Sequence, residues 1–338
     1  MAIVVTLRFV PEHAIAGIPN VVVDGSANAD TVLTLSHWPG SPTPLELRDD
    51  LSAQIAFRAL AEPERFDGID AVTNNHFDQD GVVSAFALLE PERALARREL
   101  LIDVASAGDF GTFASRDAAR IAMALAALDD DAQSPLPSDV LSAAYPQRCG
   151  GLYEWALPRL AEMADHPERW RHLWAEEDAH LGESLEAVAT GVIEIVEHPA
   201  TDLAVVTVPD QWTRRATHRF TQGWSESVHP MAVNNSTRCL RIALMQGHRY
   251  RLELRYESWV MLMSRPVLPR PDMRVLADEL TALEPGAATW RADAPGSLTP
   301  TLQVADGQDS ELPPGDFVAN VRRFLAEAPP AWDPFHPD

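Results

Sequence analysis

The sequence contains no lysine, since all 27 basic residues are arginine. This absence excludes mechanisms that need a lysine amine, such as a Schiff base, a phosphate-loop lysine or the catalytic lysine of kinases. Any contact that the chain makes with a phosphate group must therefore use arginine, backbone N–H groups or a metal ion.

Cysteine is almost as scarce. The only two, Cys149 and Cys239, do not form a CxxC pattern, so neither a disulfide framework nor a thiolate zinc site is expected. No apolar run approaches the roughly 20 residues that a membrane span needs. Residues 1–10 alternate like a strand and show no basic leader or small-residue cleavage site. We expect a soluble, cytoplasmic protein with no membrane contact.

Positive charge is also in short supply. The chain has 27 basic and 50 acidic residues, which gives a net charge of −23. A field of this sign repels polyanions, so we do not expect the protein to bind long nucleic acid.

β-rich runs alternate with helical patterns over the first 130 residues. The first two runs lie on either side of an Asp24-Gly25 turn, and Thr43-Pro44-Leu45-Glu46 has the form of a capping box with proline at the first helical position. The predicted strands are 20–23, 31–36, 68–73 and 100–105, and the predicted helices are 43–61, 81–89 and 118–128. This alternation predicts an α/β fold with a mainly parallel sheet and helices on both faces.

The remainder of the chain divides differently. Residues 129–139 have the composition of a linker, and helices are predicted between 140 and 194. A strand at 203–208 and an antiparallel hairpin within 237–262, turning at Gln246-Gly247, precede helices at 273–283 and 317–328. We therefore predict an α/β domain at 1–130, a helical segment at 131–200 and an α+β domain at 201–338.

The segment NNHFDQDG, residues 74–81, crowds a histidine and two aspartates between a predicted strand and a predicted helix. This order places His76, Asp78 and Asp80 at the carboxyl end of a strand, where open α/β sheets bind ligands. Carboxylates with imidazole suit Mn²⁺, and oxygen-only sites suit Mg²⁺. We expect these three side chains to bind one of these metals and to be catalytic. The alternative is a plain loop in which Asp80 only caps the helix.

The segment H-x-D-x-D-G, followed by V-x-S-A, resembles the first motif of the DHH phosphoesterase superfamily. Residues 108–113, G-D-F-G-T-F, are similar to a later motif of that superfamily, G-D-T-G-x-F. The resemblance implies hydrolysis of phosphoesters or phosphoanhydrides with divalent metals, usually manganese. It also implies His76, Asp78, Asp80 and Asp109 as metal ligands. The Asp-His-His triplet that names the superfamily does not occur in the chain.

Further candidates lie outside these motifs. His37 directly follows the strand at 31–36, which would bring it to the same sheet edge as a fifth metal ligand, unless it is only a turn residue. Arginines of the hairpin, Arg241 and Arg251 among them, could bind phosphate bidentately, or could lie on an exterior face paired with acids such as Glu253. The remaining candidates for substrate binding are Asn75, His229, Asn234 and Asn235.

Taken together, these residues predict a metal-dependent phosphohydrolase that acts on a small phosphorylated substrate. The alternative is a non-catalytic nucleotide- or protein-binding module on a degenerate phosphoesterase fold. Besides the substrate, a second copy of the chain, in a homodimer, is a candidate partner.

Overall fold

The computed structural model describes residues 7–217 and 224–337. The chain divides into two compact units. Unit 1 comprises Met1–Ala179 and Ala216–Ser225, and unit 2 comprises His180–Arg215 and Glu226–Asp338. Of the strand expected at residues 1–10, the first six residues lie outside the described part, and a short strand occupies Arg8–Phe9.

The strands are β1 Arg8–Phe9, β2 Asn20–Val23, β3 Thr31–Leu35, β4 Ala71–Thr73, β5 Glu194–His198, β6 Leu203–Val208, β7 Arg215–Thr217, β8 Trp224–Glu226, β9 Arg241–Gln246, β10 Arg249–Leu254, β11 Trp290–Ala292 and β12 Thr301–Val304. The helices are α1 Ser52–Ala59, α2 Gln79–Leu89, α3 Pro91–Leu95, α4 Arg98–Asp109, α5 Arg116–Ala126, α6 Ser138–Leu141, α7 Tyr145–Ala156, α8 Leu160–Asp165, α9 Arg171–Ala189, α10 Pro230–Ser236, α11 Met273–Leu283 and α12 Pro314–Glu327. Within the described residues, no helix combines the length and the apolar character needed to cross a membrane.

Unit 1 is built on a four-stranded sheet in the order β1-β4-β2-β3, in which every pair is parallel. This confirms the predicted parallel sheet, while the coverage of both its faces by helices stays a prediction. β2 is central and completely buried, which explains its run of three valines. Because the strands are parallel, the carboxyl ends of β2, β3 and β4 meet at one edge of the sheet.

Helix α2 follows β4 and lies deep inside unit 1. All its residues from Gln79 to Leu88 are buried, and it packs against α1, α4 and the ends of β2 and β4. A helix that is apolar all round is expected only in such an interior position. The start of α2 is therefore held rigidly beside the carboxyl edge of the sheet.

One predicted strand of this unit is wrong. Residues 100–105 belong to helix α4, whose buried positions include Leu101, Val104 and Ala105. The spacing of these positions, i, i+3 and i+4, has the helical period, but a short apolar run does not by itself distinguish a strand from a buried helix. The run therefore contributes to the helical layer and not to the sheet.

The helix predicted at 43–61 is also shorter than expected. α1 begins only at Ser52, after a single 3₁₀ turn at Leu45–Leu47. The Thr43 hydroxyl does not cap a helix but donates to the backbone oxygen of Ser36, 2.7 Å away, and accepts from its N–H. Thr43 thus stabilises the loop that follows β3.

Unit 2 contains a six-stranded sheet in the order β11-β12-β10-β9-β6-β5. All neighbours are antiparallel except β6 and β9. The predicted hairpin is present as β9 and β10, and Gly247 supplies the positive φ of +56° at its turn. One face of the sheet forms a core with α11 and α12, to which the alternate residues Tyr250, Leu252 and Leu254 of β10 contribute. A separate two-stranded sheet is formed by β7 and β8.

Candidate metal centre

Three neighbouring strands of unit 1 each deliver an acid or imidazole side chain to the same edge. Asp24 follows β2, His37 comes two residues after β3, and His76 comes three residues after β4. The chain turns sharply after β2, since Asp24 has a φ of +46°. Gly25 follows, and a Cβ there would lie 2.7 Å from the side-chain oxygen of Asn75, so a larger residue would displace Asn75.

The first group of side chains surrounds His37, which is 1% exposed. Its Nε2 atom lies 3.4 Å from Asp24 Oδ1, 3.9 Å from Asp80 Oδ2 and 3.5 Å from Asp109 Oδ2. Its other ring nitrogen, Nδ1, lies 2.6 Å from the backbone oxygen of Asp50. Because a carbonyl oxygen only accepts, Nδ1 donates its hydrogen to Asp50, and Nε2 is the ring atom that faces the three carboxylates.

The second group surrounds His76, which is partly exposed. Its Nε2 atom lies 2.8 Å from Asp78 Oδ2 and 3.3 Å from Asp24 Oδ2. Its Nδ1 atom lies 3.1 Å from the side-chain oxygen of Asn75. The side chain of Trp38 packs against the ring, with centroids 5.1 Å apart. The side chains of His76 and Asp78 are 22% and 26% exposed, so this group is the more accessible of the two.

Asp24 belongs to both groups. Among the described residues, two sets of three ligand atoms lie within 4.8 Å of one another, one from Asp24, His37 and Asp80 and the other from Asp24, His76 and Asp78. Oδ1 of Asp24 faces His37, and Oδ2 faces His76. A carboxylate that presents one oxygen to each of two neighbouring sets has the arrangement of a bridging ligand.

Asp80 is fixed by the beginning of α1. Its two oxygens accept hydrogen bonds of 2.7 Å each from the backbone N–H groups of Ser52 and Ala53. The hydroxyl of Ser52 donates to Asp24 Oδ1 at 2.8 Å. The N-terminal end of α1 therefore holds two carboxylates of the cluster in place, as its exposed N–H groups and dipole favour.

Asp78 is the N-cap of α2, where its Oδ1 accepts from the backbone N–H of Gly81 at 2.8 Å. Its other oxygen, Oδ2, faces His76. The helix-cap role that the sequence suggested for Asp80 thus belongs to Asp78, and it leaves one oxygen of Asp78 directed at the cluster.

The buried charges perturb one another strongly. Burial by itself raises the pKa of Asp24, but hydrogen bonds and charges from His76, His37 and Ser52 outweigh it and lower that pKa to about 2. Burial, together with the charges of Asp24 and Asp78, raises the pKa of Asp80 well above its usual value. Burial and the two neighbouring carboxylates thus both disfavour a charged Asp80, and a cation at the cluster would offset that cost.

The same two carboxylates act on His76. Burial lowers the pKa of its imidazole, but the charges of Asp78 and Asp24 and hydrogen bonds to them outweigh burial, and the pKa is raised well above its usual value. The ring is thus held among carboxylates, which is an environment that favours a positive charge at this position.

Two buried hydrogen-bond donors lie beside Asp78 without a partner of their own. They are Nδ2 of Asn74 and the hydroxyl of Tyr153, whose residues are 1% and 0% exposed. A Cβ on Gly81 would lie 2.4 Å from Asn74 Nδ2 and 3.1 Å from Asp78 Oδ1, which shows how close these groups are. Buried polar atoms rarely lack a partner, so these donors point to an oxygen atom that the folded chain does not itself provide.

The structure brings together all five residues predicted as metal ligands, namely His37, His76, Asp78, Asp80 and Asp109, and places Asn75 against His76. The other predicted substrate contacts lie in unit 2. His229 is buried and caps α10 through Nδ1, Asn234 is buried, and Asn235 is exposed. Arg241 is buried and donates to the backbone oxygens of Thr201 and Pro269. Their roles in binding stay predictions.

Two residues of the cluster were missed from the sequence. Asp24 was interpreted as part of a turn, and Ser52 was assigned to the middle of a long helix. Asp24 could have been found, because it directly follows a strand, and the edge where parallel strands end is the usual place for a ligand. Ser52 could not, since its contact with Asp24 depends on where α1 begins.

The fold and the cluster place the chain among α/β proteins with an aspartate–histidine cluster at the carboxyl edge of a parallel sheet. The chain belongs to the DUF6687 family, described as a family of unknown function, whose model matches residues 5–336. No curated protein and no solved structure matches the chain.

Proposed function

We propose that the protein is a metal-dependent phosphohydrolase that cleaves a phosphoester or phosphoanhydride of a small substrate. The observation that carries the proposal is the sharing of Asp24 between two histidine–carboxylate groups. This arrangement is suited to two divalent ions held close together, as in many phosphoryl-transfer sites. The resemblance of residues 76–81 and 108–113 to motifs of the DHH phosphoesterases supports the same class of reaction.

The donor set fits Mn²⁺ or Mg²⁺, because it combines carboxylate oxygens with imidazole nitrogens and contains no thiolate. His37, Asp24, Asp80 and Asp109 would hold one ion, and His76, Asp24 and Asp78 the other. When bound, such ions polarise a phosphoryl group and lower the pKa of water, which makes hydroxide available near neutral pH.

The protein contributes rigid positioning of these ligands. The backbone oxygen of Asp50 orients the ring of His37, and the N–H groups of Ser52 and Ala53 fix both oxygens of Asp80. Such outer contacts set the tautomer and direction of a ligand, and their loss typically lowers metal affinity about 10–100-fold. The centre is therefore preorganised by backbone groups that belong to the fold itself.

Asn74 and Tyr153 have a separate role in this proposal. Their partnerless donors next to Asp78 would bind an oxygen of the attacking water or of the phosphoryl group. Neutral donors suit this task, because they stabilise negative charge on oxygen without competing with the ions. The net charge of −23 restricts the substrate to small molecules, since it repels polyanions.

The test combines metal content with hydrolysis. The purified protein is loaded with Mn²⁺, desalted and measured by elemental analysis, and then assayed on bis(p-nitrophenyl) phosphate, p-nitrophenyl phosphate and pyrophosphate. We expect about two ions per chain and Mn²⁺-stimulated release of product from at least one substrate. One ion or none, without turnover, would instead favour the non-catalytic binding module.

The matched variants are Asp80→Asn and Asp70→Asn. Asp80 lies in the cluster, whereas Asp70 is exposed and precedes the opposite end of β4. We expect Asp80→Asn to abolish stimulated hydrolysis and Asp70→Asn to leave it unchanged, with both variants folded by circular dichroism. Wild-type hydrolysis by a folded Asp80→Asn variant would refute the assignment.

A further inference from the structure

β5 is an edge strand of the six-stranded sheet in unit 2, and its outer side pairs with no strand of the described residues. Alternate residues of an edge strand direct their backbone N–H and C=O groups away from the sheet, where another chain can pair with them. β5 is five residues long, whereas β11, at the other edge, has only three. β5 therefore offers the longer unpaired edge.

An apolar side chain is left half exposed at this edge. Val196 lies opposite Val205 of β6, and side chains that face each other across a strand pair lie on the same side of the sheet. Val205 is buried in the core that the sheet forms with α11 and α12, whereas Val196 is 52% exposed. The apolar surface of the core therefore continues to the edge of the sheet and ends there only partly covered.

The two ends of β5 carry groups of opposite charge. At the start, Glu194 is exposed and forms no ion pair within the described residues. At the other end, His198 precedes the 3₁₀ turn Pro199–Thr201, against which α12 packs. Burial, and then the charge of Arg322 on α12, lower the pKa of His198, so these two side chains are neighbours. Arg322 is exposed and, in the part of the chain that the structure describes, likewise has no ion-pair partner.

We propose that a second copy of the chain binds this edge, with β5 against β5 in antiparallel orientation, so that the two six-stranded sheets become continuous. A two-fold axis through Val196 places the two copies of this residue opposite each other. The same register places Glu194 of each copy opposite His198 of the other, beside Arg322. Each Glu194 carboxylate then meets N–H donors of an imidazole and a guanidinium.

A second copy fits this edge better than an unrelated strand, because both halves of the contact come from the same chain. Acidic residues on an edge normally oppose pairing, but in this register no acid faces another. Glu197 lies opposite Ile195 of the second copy, and its carboxylate already accepts from the hydroxyl of Thr237. The inference does not rest on the proposed function, since every residue named here lies in unit 2.

Sedimentation equilibrium of the full chain tests the proposal over a series of protein concentrations. Salt at about 0.15 M screens the repulsion between two chains of net charge −23. We expect a species of twice the 37.1 kDa mass of one chain. Val196→Lys should raise the dissociation constant of this dimer at least about tenfold, since it places two like charges opposite each other at the two-fold axis. The matched control is Val275→Lys on α11, which should dimerise like the wild type, because Val275 is also 52% exposed but lies away from β5.

A charge exchange tests the register. Glu194→Arg should weaken the dimer, because it brings an arginine to Arg322 of the other copy, and Arg322→Glu should weaken it by the reverse repulsion. The double variant Glu194→Arg/Arg322→Glu should recover the dimer, which a loss of folding could not do, and circular dichroism checks that each variant is folded.

A monomer at every concentration would overturn the proposal. A dimer that Val196→Lys leaves intact, or that Val275→Lys dissociates equally, would also overturn it, because the interface would then lie on another surface. A double variant that stays as weak as its two parents would overturn the pairing of Glu194 with Arg322.

Discussion

A Cβ atom on Gly81 would lie only 2.3 Å from the hydroxyl oxygen of Tyr153. Gly81 itself is helical, the third residue of α2, and so the backbone does not need glycine for a left-handed turn. It is the approach of Tyr153 from α7 and of Asn74 from the end of β4 that leaves no room for a side chain. The glycine of the HxDxDG segment is therefore explained by packing.

Gly81→Ala should destabilise unit 1 by about 1–3 kcal/mol, the usual cost of overpacking. Removing the hydroxyl in Gly81→Ala/Tyr153→Phe should recover part of this loss, because the shortest contact disappears. Gly315→Ala in α12 is the control, since nothing lies within 4 Å of its Cβ position, and it should be neutral or slightly stabilising. Urea unfolding measures all three, and a Gly81→Ala variant as stable as the wild type contradicts the packing argument.

Asp24→Asn should lower the amount of bound metal more than any other single substitution in the cluster. Asp24 is part of both ligand groups, whereas Asp78 is part of one. After loading with Mn²⁺, we expect Asp24→Asn to retain almost none and Asp78→Asn to retain about half of the wild-type amount. Elemental analysis of the desalted variants measures this difference. Equal metal content in the two variants would show that Asp24 is not shared between the two ligand groups.

His37→Gln should remove the imidazole nitrogen that faces Asp24 and Asp109, and with it the buried ion. Nε2 of His37 lies within 3.5 Å of an oxygen of each of these residues. We expect Mn²⁺ content to fall by about one ion per chain, while His13→Gln, a change at an exposed histidine, leaves it unchanged. Unaltered Mn²⁺ stoichiometry in His37→Gln would remove His37 from the ligand set.

Removing metal should lower the melting temperature. Without a cation, the charged form of Asp80 is disfavoured, because burial, and then the charges of Asp24 and Asp78, raise its pKa. A ligand present at about 100 times its Kd stabilises a fold by about 2.7 kcal/mol, so Mn²⁺ should restore several degrees of thermal stability after chelation. Differential scanning calorimetry should show this shift in the wild type and a much smaller one in Asp24→Asn. Equal shifts in both would mean that Mn²⁺ binds elsewhere.

In unit 2, Arg270 should be essential for stability. It is 1% exposed, and it donates to the backbone oxygens of Pro295 and Leu298 at 3.0 and 2.9 Å and to the hydroxyl of Ser258 at 2.9 Å. Burial lowers the pKa of its guanidinium to about 9. Arg270→Met should cost at least about 3 kcal/mol, because several buried acceptors lose their donor.

The control for that change is Arg274→Met on α11. Arg274 is 58% exposed and pairs with Asp272, so its loss should cost less than about 1 kcal/mol. Urea unfolding followed by tryptophan fluorescence distinguishes the two variants. If their midpoints shift equally, the backbone oxygens around Arg270 find other donors.

Much of the fold could be predicted because strong local patterns agree with the tertiary structure. The consecutive valines of β2 are all buried, as such a run indicates, and burial alternates along β10 as in a strand with one buried face. Residues 100–105 were assigned wrongly because a six-residue apolar run is compatible with either structure. These residues form a helix and not a strand because α4 packs against α2 and α5, and this packing cannot be read from the sequence.

The cluster could be predicted where ligands are close in sequence, and only partly where they are distant. His76, Asp78 and Asp80 are recognisable together, and His37 follows from the rule for strand ends. That Asp24 is common to both groups could be recognised only once the strand order was known, because β2 lies between β3 and β4. The unpaired hydroxyl of Tyr153 could not be predicted, because its place beside the cluster depends on the position of α7, and no local sequence pattern indicates that position.

The interior position of both thiols has a practical consequence for labelling. Cys149 and Cys239 are 3% and 6% exposed, and burial raises the pKa of Cys149 to about 12 and that of Cys239 above its usual value, so neither forms a reactive thiolate at neutral pH. Maleimide reagents should therefore leave the folded native chain unmodified. A single cysteine introduced at an exposed position would then carry a fluorophore or spin label alone, without any need to replace the two natural thiols.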